Sequence, residues 1–232
     1  MPDAKKTFGE SLDYLDLDDL KGKLIAIEGT DGVGRSTQVE LLQQWLEVQG
    51  FVVVTNGWTR SNLMKKSIEL VKQGNMVERR TFALLYATDF ADRLENQVIP
   101  ALRSGFLVLT DRYVFTAWAR DMVRNPETQW IRNVLSFGLI PDLVLYLRID
   151  ADSLVPRVIE SGGMNYWESG MDMYLADNIY DSFKKYQKKL IEKYDEIATD
   201  QNFEVVDARQ SVGDIHEMIK AKVTPLLERI AR

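Results

Sequence analysis

The sequence predicts a parallel α/β fold, and three observations carry that reading. Short apolar runs recur along the chain, long stretches of helical periodicity separate them, and the first run ends in a glycine-rich turn. Runs that are apolar on both faces suit strands covered by helices on each side, whereas one-sided sheets alternate apolar and polar residues. Strands alternating with helices give a parallel sheet, with ligands expected just beyond the carboxyl ends of the strands.

Residues 1–22 form an acidic extension in which Glu10, Asp13, Asp16, Asp18 and Asp19 surround Leu12, Tyr14, Leu15 and Leu17. It reads as a solvated arm or a short docking helix, with a partner-binding segment as the alternative. One domain is expected over 23–232. It opens with the strand LIAIEG (24–29) and a helix over 35–49. The β-branched run FVVVT (51–55) follows, then helical patterns over 62–73 and 77–103. FLVLT (106–110) precedes a helix over 113–137, and LVLYLRI (143–149) precedes helices over 151–160 and 172–198. FEVV (203–206) leads into a last helix over 211–231.

Composition narrows the function classes. The 232 residues are 45% hydrophobic, with five Trp and nine Phe, which excludes a disordered chain and allows a sizeable core. A net charge of −6 leaves no basic stripe for a nucleic-acid backbone. No run approaches the roughly 18 apolar residues of a membrane span, so no membrane association is expected. The first twenty residues lack an apolar h-region, and the chain has no cysteine; both fit the cytoplasm.

The segment Gly29 to Ser36, GTDGVGRS, fits the phosphate-loop template G-x-x-x-x-G-K-[ST], with Arg35 in the lysine position. Its glycines permit left-handed turns that aim backbone N–H groups at phosphate oxygens, and the following helix adds its positive end. Gly29, Thr30, Asp31, Gly32, Val33, Gly34, Arg35, Ser36 and Thr37 are the expected ATP-binding set, with Ser36 a ligand for Mg²⁺. Arginine is a planar fork and lysine a point charge. Arg35 therefore either grips the β- and γ-phosphates bidentately or sits too far out to follow the transfer; the residues leave both open. Directly after the strand 106–110 stands Asp111-Arg112-Tyr113, where an acid can hold Mg²⁺ and an arginine an anionic acceptor.

Together these residues resemble the thymidylate kinase family of nucleoside-monophosphate kinases. IEGTDGVGRSTQ is similar to its phosphate loop, LLYATDFADRLENQVIPALRSGFLVLTDRY to its helix-strand-DRY segment, and LIPDLVLYLRIDADSLVPRV to the strand and helix before the lid. The resemblance covers roughly residues 23–230. It implies a three-layer α/β/α fold with a five-stranded parallel sheet and a helical lid near 160–172. It also implies ATP and Mg²⁺, a small nucleotide substrate, a homodimer, and transfer of the ATP γ-phosphoryl group to dTMP. By the same resemblance Asp31 lies near the acceptor sugar and the transfer site, and Tyr86 stacks on the pyrimidine. Asp111 and Arg112 serve the metal and the acceptor phosphate. Arg35, Asp31, Asp111 and Arg112 form the expected catalytic set.

The departures fall at functional positions. Asn56 stands where the family has a phosphate-gripping arginine, with Arg60 close enough to substitute. Phe90 replaces the base-reading arginine; Tyr86 and Phe90, one helical turn apart, either face the substrate or are core. Ala117 and Arg120 stand where the family often has polar or tyrosine contacts to the nucleotide. No Lys or Arg occurs between Arg157 and Lys184, so the lid lacks the family's arginine, and the loop position that replaces it in other members is Gly32. Trp167 and Tyr166 either cover a bound ring or pack the lid, His216 reads as a packing residue, and KKYQKKLIEKY (184–194) as a solvated helix face. Three functions follow: a thymidylate kinase, a kinase for another small acceptor, or a nucleotide-binding protein with little or no transfer activity and a regulatory or assembly role.

Overall fold

The computed structural model describes residues 5–58, 61–74, 77–124 and 129–230. Among them one sheet of five strands runs in the order β2-β3-β1-β4-β5, every pair parallel. The strands are β1 (Lys23–Gly29), β2 (Val53–Gly57), β3 (Leu107–Asp111), β4 (Leu143–Arg148) and β5 (Glu204–Asp207). Each lies within two residues of its expected run. FVVVT shifts most, because β2 is an edge strand whose only pairing, to β3, begins at Val53 opposite Leu107.

The helices are α1 (Arg35–Val48), α2 (Lys65–Gly74), α3 (Arg79–Arg93), α4 (Ile99–Arg103), α5 (Val114–Arg124), α6 (Gln129–Val134), α7 (Ala151–Glu160), α8 (Ile179–Asp200) and α9 (Val212–Ile230). A π-helical turn, Leu94–Val98, joins α3 to α4, so the long pattern over 77–103 is nearly one helix. The pattern over 113–137 divides into α5 and α6, and residues 125–128 between them lie outside the described set. On α8, Tyr186, Leu190 and Tyr194 are buried while Lys185, Lys188 and Lys189 face solvent, as the charge run suggests.

The sheet divides the core into two layers because successive side chains point to opposite faces. Leu24 and Ala26 of β1 join Phe90, Phe115, Tyr186 and Tyr194 on one side. Ile25 and Ile27 join Leu42, Leu154, Ile215 and Ile219 on the other. Register fixes the site: Ile27 pairs with Asp111 and Gly29 with Leu147, so β1 and β3 end side by side at the carboxyl edge.

The acidic segment is not a solvated arm. Thr7 bridges Leu139 antiparallel, and the Phe8 and Ile140 amides bond the Gly138 and Lys6 carbonyls. Lys5 pairs with Asp142, which also holds Lys23 at 3.1 Å and the Leu24 amide at 2.8 Å. Phe8 stands edge-on to Trp118 (4.9 Å between centroids), and Leu15 and Leu20 are buried. Over residues 5–22 Phe8, Leu12, Leu15, Leu17 and Leu20 are used inward, as a strap across the layer that contains α5, while Tyr14 stays exposed.

Candidate active site

Strand β1 breaks at Gly29 (φ 146°), where a Cβ would stand 2.8 Å from the Leu147 carbonyl oxygen. Gly32 (φ 78°) has the same requirement for another reason: its Cβ would lie 2.5 Å from Val158 Cγ2 on α7. The loop thus leans on α7, and Arg157 Nη1 reaches the Val33 carbonyl at 3.4 Å. A side chain at Gly32 would have to displace Val158 and hold a left-handed backbone, which disfavours the loop as host for the arginine that is absent from the lid. Gly34 is the N-cap of α1 and offers no side-chain acceptor, which leaves the first amides of the helix to an anion.

Ser36 and Asp111 converge, with Ser36 Oγ donating to Asp111 Oδ2 at 2.9 Å. A hydroxyl beside a carboxylate is a donor set that suits Mg²⁺, which keeps waters and takes the rest of its shell from phosphates. Among the described residues no cluster of three or more His, Cys, Asp or Glu side chains offers another metal site. Thr37, next to Ser36, is exposed. Arg35 turns inward: Nε donates to Asp111 Oδ1 at 2.7 Å, and Nη1 donates to the Gly29 and Thr30 carbonyls. Its guanidinium therefore threads the loop and ties it to β3. The Thr30 hydroxyl is buried and finds no partner.

Asp31 is a hub of arginines. Arg120 Nη2 donates to Oδ2 at 2.7 Å, Arg112 Nη2 pairs with Oδ1, and Arg35 Nη2 stands at 4.0 Å. Arg112 occupies a left-handed conformation (φ 71°) that non-glycine residues rarely adopt. It is held there because its amide donates to the Ile27 carbonyl (3.0 Å) and its carbonyl accepts from Thr110 Oγ1 (2.7 Å). Backbone strain of this kind clusters at functional sites. Burial, with Arg120 adding like charge, lowers the Arg112 guanidinium to about 10.

Beyond the arginines lies a cavity of about 320 Å³, within the range of small-ligand sites. Trp58, Phe82, Tyr86, Trp130 and Trp167 form much of its wall. Tyr86 sits 5.0 Å from Trp58 and edge-on to Phe82, while Phe82 stacks on Trp167 at 4.8 Å. Tyr86 and Trp167 thus both face the cavity. Phe90 does not. It is 1% exposed, packed against Tyr113 and Phe137, so its expected place in the substrate set is corrected: the inner face of α3 puts it in the core. Asn56 is likewise buried, in a network with Arg93 and Gln97. Arg60 lies outside the described residues.

Sequence reasoning missed several residues. Glu28, fully buried, accepts from the Tyr113 amide, Thr116 Oγ1 and Tyr194 Oη at 2.7, 2.7 and 3.1 Å. Burial raises its pKa despite these bonds. Arg124 belongs to the site too, as does Arg120, which the sequence marks only as a departure from the family pattern; with Thr116 they recur every fourth residue along one face of α5, a spacing that was available as a signal. Arg124 holds Asp172 of the lid through Nε (2.9 Å) and Nη2 (3.0 Å), and also donates to Tyr186 Oη (2.6 Å) and the Trp167 carbonyl (3.1 Å). The lid has no arginine of its own, but its carboxylate collects one from the body. His216 is on α9, and its pKa is lowered by burial and by Lys220.

The sequence profile of the family described as Thymidylate kinase matches residues 27–219. The chain is 37% identical over 198 residues to a probable thymidylate kinase 2 of Saccharolobus solfataricus, covering 84% of this chain and 92% of the relative. It is 29% identical to a probable thymidylate kinase of Pyrococcus abyssi, over 88% and 97% of the two chains. Against a thymidylate kinase of Caldanaerobacter subterraneus the identity is also 29%, over 90% and 98%.

Proposed function

Because the chain belongs to the thymidylate kinase family, we propose that it transfers the γ-phosphoryl group of ATP to dTMP, giving dTDP and ADP. The observation that carries this reading is the meeting of Ser36, Asp111 and the Asp31 arginines between the phosphate loop and an aromatic cavity. The loop amides from Gly29 to Ser36 hold the donor phosphates. Arg112 grips the acceptor phosphate, and the aromatic wall around Tyr86 stacks the pyrimidine. An acceptor phosphate oxygen then bonds to the γ-phosphorus as the bond to the bridging oxygen breaks, and positioning with charge neutralisation supplies the rate. Ser36 and Asp111 would hold Mg²⁺, which when bound neutralises charge on the donor phosphates. The family resemblance extends the proposal to a homodimer, testable by sedimentation.

The test is ADP production from Mg·ATP, screened across dTMP, dUMP and the other nucleoside monophosphates. Turnover with dTMP is expected, and Asp111→Asn should lower kcat about 100-fold or more, as loss of a preorganised charge does. ATP binding without turnover on any acceptor would sink the kinase reading. Turnover on another monophosphate alone would keep the kinase and reject dTMP.

A further inference from the structure

The lid contributes no positive charge, yet the body of the protein gathers guanidinium groups at one carboxylate. Arg112 comes from the end of β3 and Arg120 from α5, and their side chains remain 21% and 24% exposed beside Asp31. Among the described residues Asp31 is the carboxylate in direct contact with both forks, since Asp111 takes up the charge of Arg35, and Glu168 acts on them only from a distance. The Arg112 Nε is buried without a hydrogen-bond partner. Arg120 also lines the cavity, next to Tyr86 and Trp58, so its free face points where an acceptor would lie. Two adjacent cations that contact one carboxylate, with a donor left over, have room for a further anion.

We propose that Arg120 and Arg112 form a two-guanidinium clamp for the phosphate of the acceptor nucleotide, with Arg120 supplying from α5 the charge that the lid of this chain lacks. The inference rests on the kinase reading for the identity of the acceptor, but the clamp itself is a site for a phosphate dianion. Asp31 acts as the tether: it holds both planar forks in position before substrate arrives, which removes their ordering cost from the binding step. A phosphomonoester then offers several oxygens to the remaining N–H groups in the charge-assisted, paired geometry that arginine favours.

Calorimetric titration of wild type, Arg120→Ala and Arg120→Lys with dTMP, thymidine and Mg·ATP tests this. Arg120→Ala should weaken dTMP by roughly 10- to 100-fold, the range for a lost bond to a charged group, while thymidine and Mg·ATP stay within about twofold. Arg120→Lys should recover only part of the loss, because a point charge replaces a fork. Equal losses for dTMP and thymidine would make Arg120 merely structural and overturn the clamp, as would dTMP binding that ignores the substitution. If the alanine variant does not fold, the lysine variant carries the same contrast between dTMP and thymidine. A wild-type chain that makes no dTDP defeats the kinase reading separately. Inorganic phosphate then judges the clamp, which stands if Arg120→Ala weakens phosphate and falls if wild type and variant behave alike.

Discussion

Glu28 is fully buried, and donors from the start of α5 and from α8 converge on its two oxygens. It therefore fastens the end of β1, from which the phosphate loop departs, to the helix that carries Arg120 and Arg124. Glu28→Ala strands the Tyr113 amide in the core and leaves the Thr116 and Tyr194 hydroxyls, 2.9 Å apart, with one proton between them unmatched. That should cost about 3 kcal/mol or more in urea denaturation, at ~1–3 kcal/mol per unsatisfied group. Burial raises the Glu28 pKa above its unfolded value, so its contribution is fully present below the ordinary carboxylate range and is lost as pH rises through the raised value. Glu28→Gln, which cannot ionise, should flatten that decline as pH rises above the ordinary carboxylate range. A steeper decline in the Gln variant would contradict the assignment. Arg35 shows the same economy: its identity was plain from the motif, whereas its inward turn onto two carbonyls and Asp111 depends on β3, 76 residues away.

The strands were legible because each is a dense apolar run closed by a glycine or a charge, and the loop because its glycines stand at fixed spacing before a helix. The lid was not. A stretch without arginine reads as a lid without charge, since nothing local reveals that Asp172 meets Arg124 48 residues earlier in the chain. Arg120 stood out only as a departure from the family pattern: its partner Asp31 is 89 residues away, so nothing local reveals where its charge is used. For Phe90 the sequence left substrate and core both open, because it stands one turn from Tyr86, and packing turns it inward. The Arg124–Asp172 pair is 13% and 10% exposed, so removing one partner leaves a nearly buried charge. Asp172→Ala should raise amide exchange over residues 162–175 at least about tenfold, with the exchange of β1 and β3 unchanged. Uniform acceleration across the chain would show a global rather than a local role.

For the whole molecule, the acidic segment behaves as part of the body. Phe8 packs on Phe115 and Trp118, residues on the far side of the helix whose near side bears Arg120. Phe8→Ala should cost about 2 kcal/mol, the low end for a large core truncation, and so lower Tm by ~4–8 °C. Tyr14→Ala, at a ring 64% exposed, should change Tm by less than about 2 °C. If the two substitutions proved equal, the strap would be decoration. The contact between Gly32 and Val158 has a different kind of consequence. With no side chain between them, the phosphate loop and α7 form a joint without a cushion, and α7 is the stem from which the lid grows. A shift of the loop would therefore press directly on that stem.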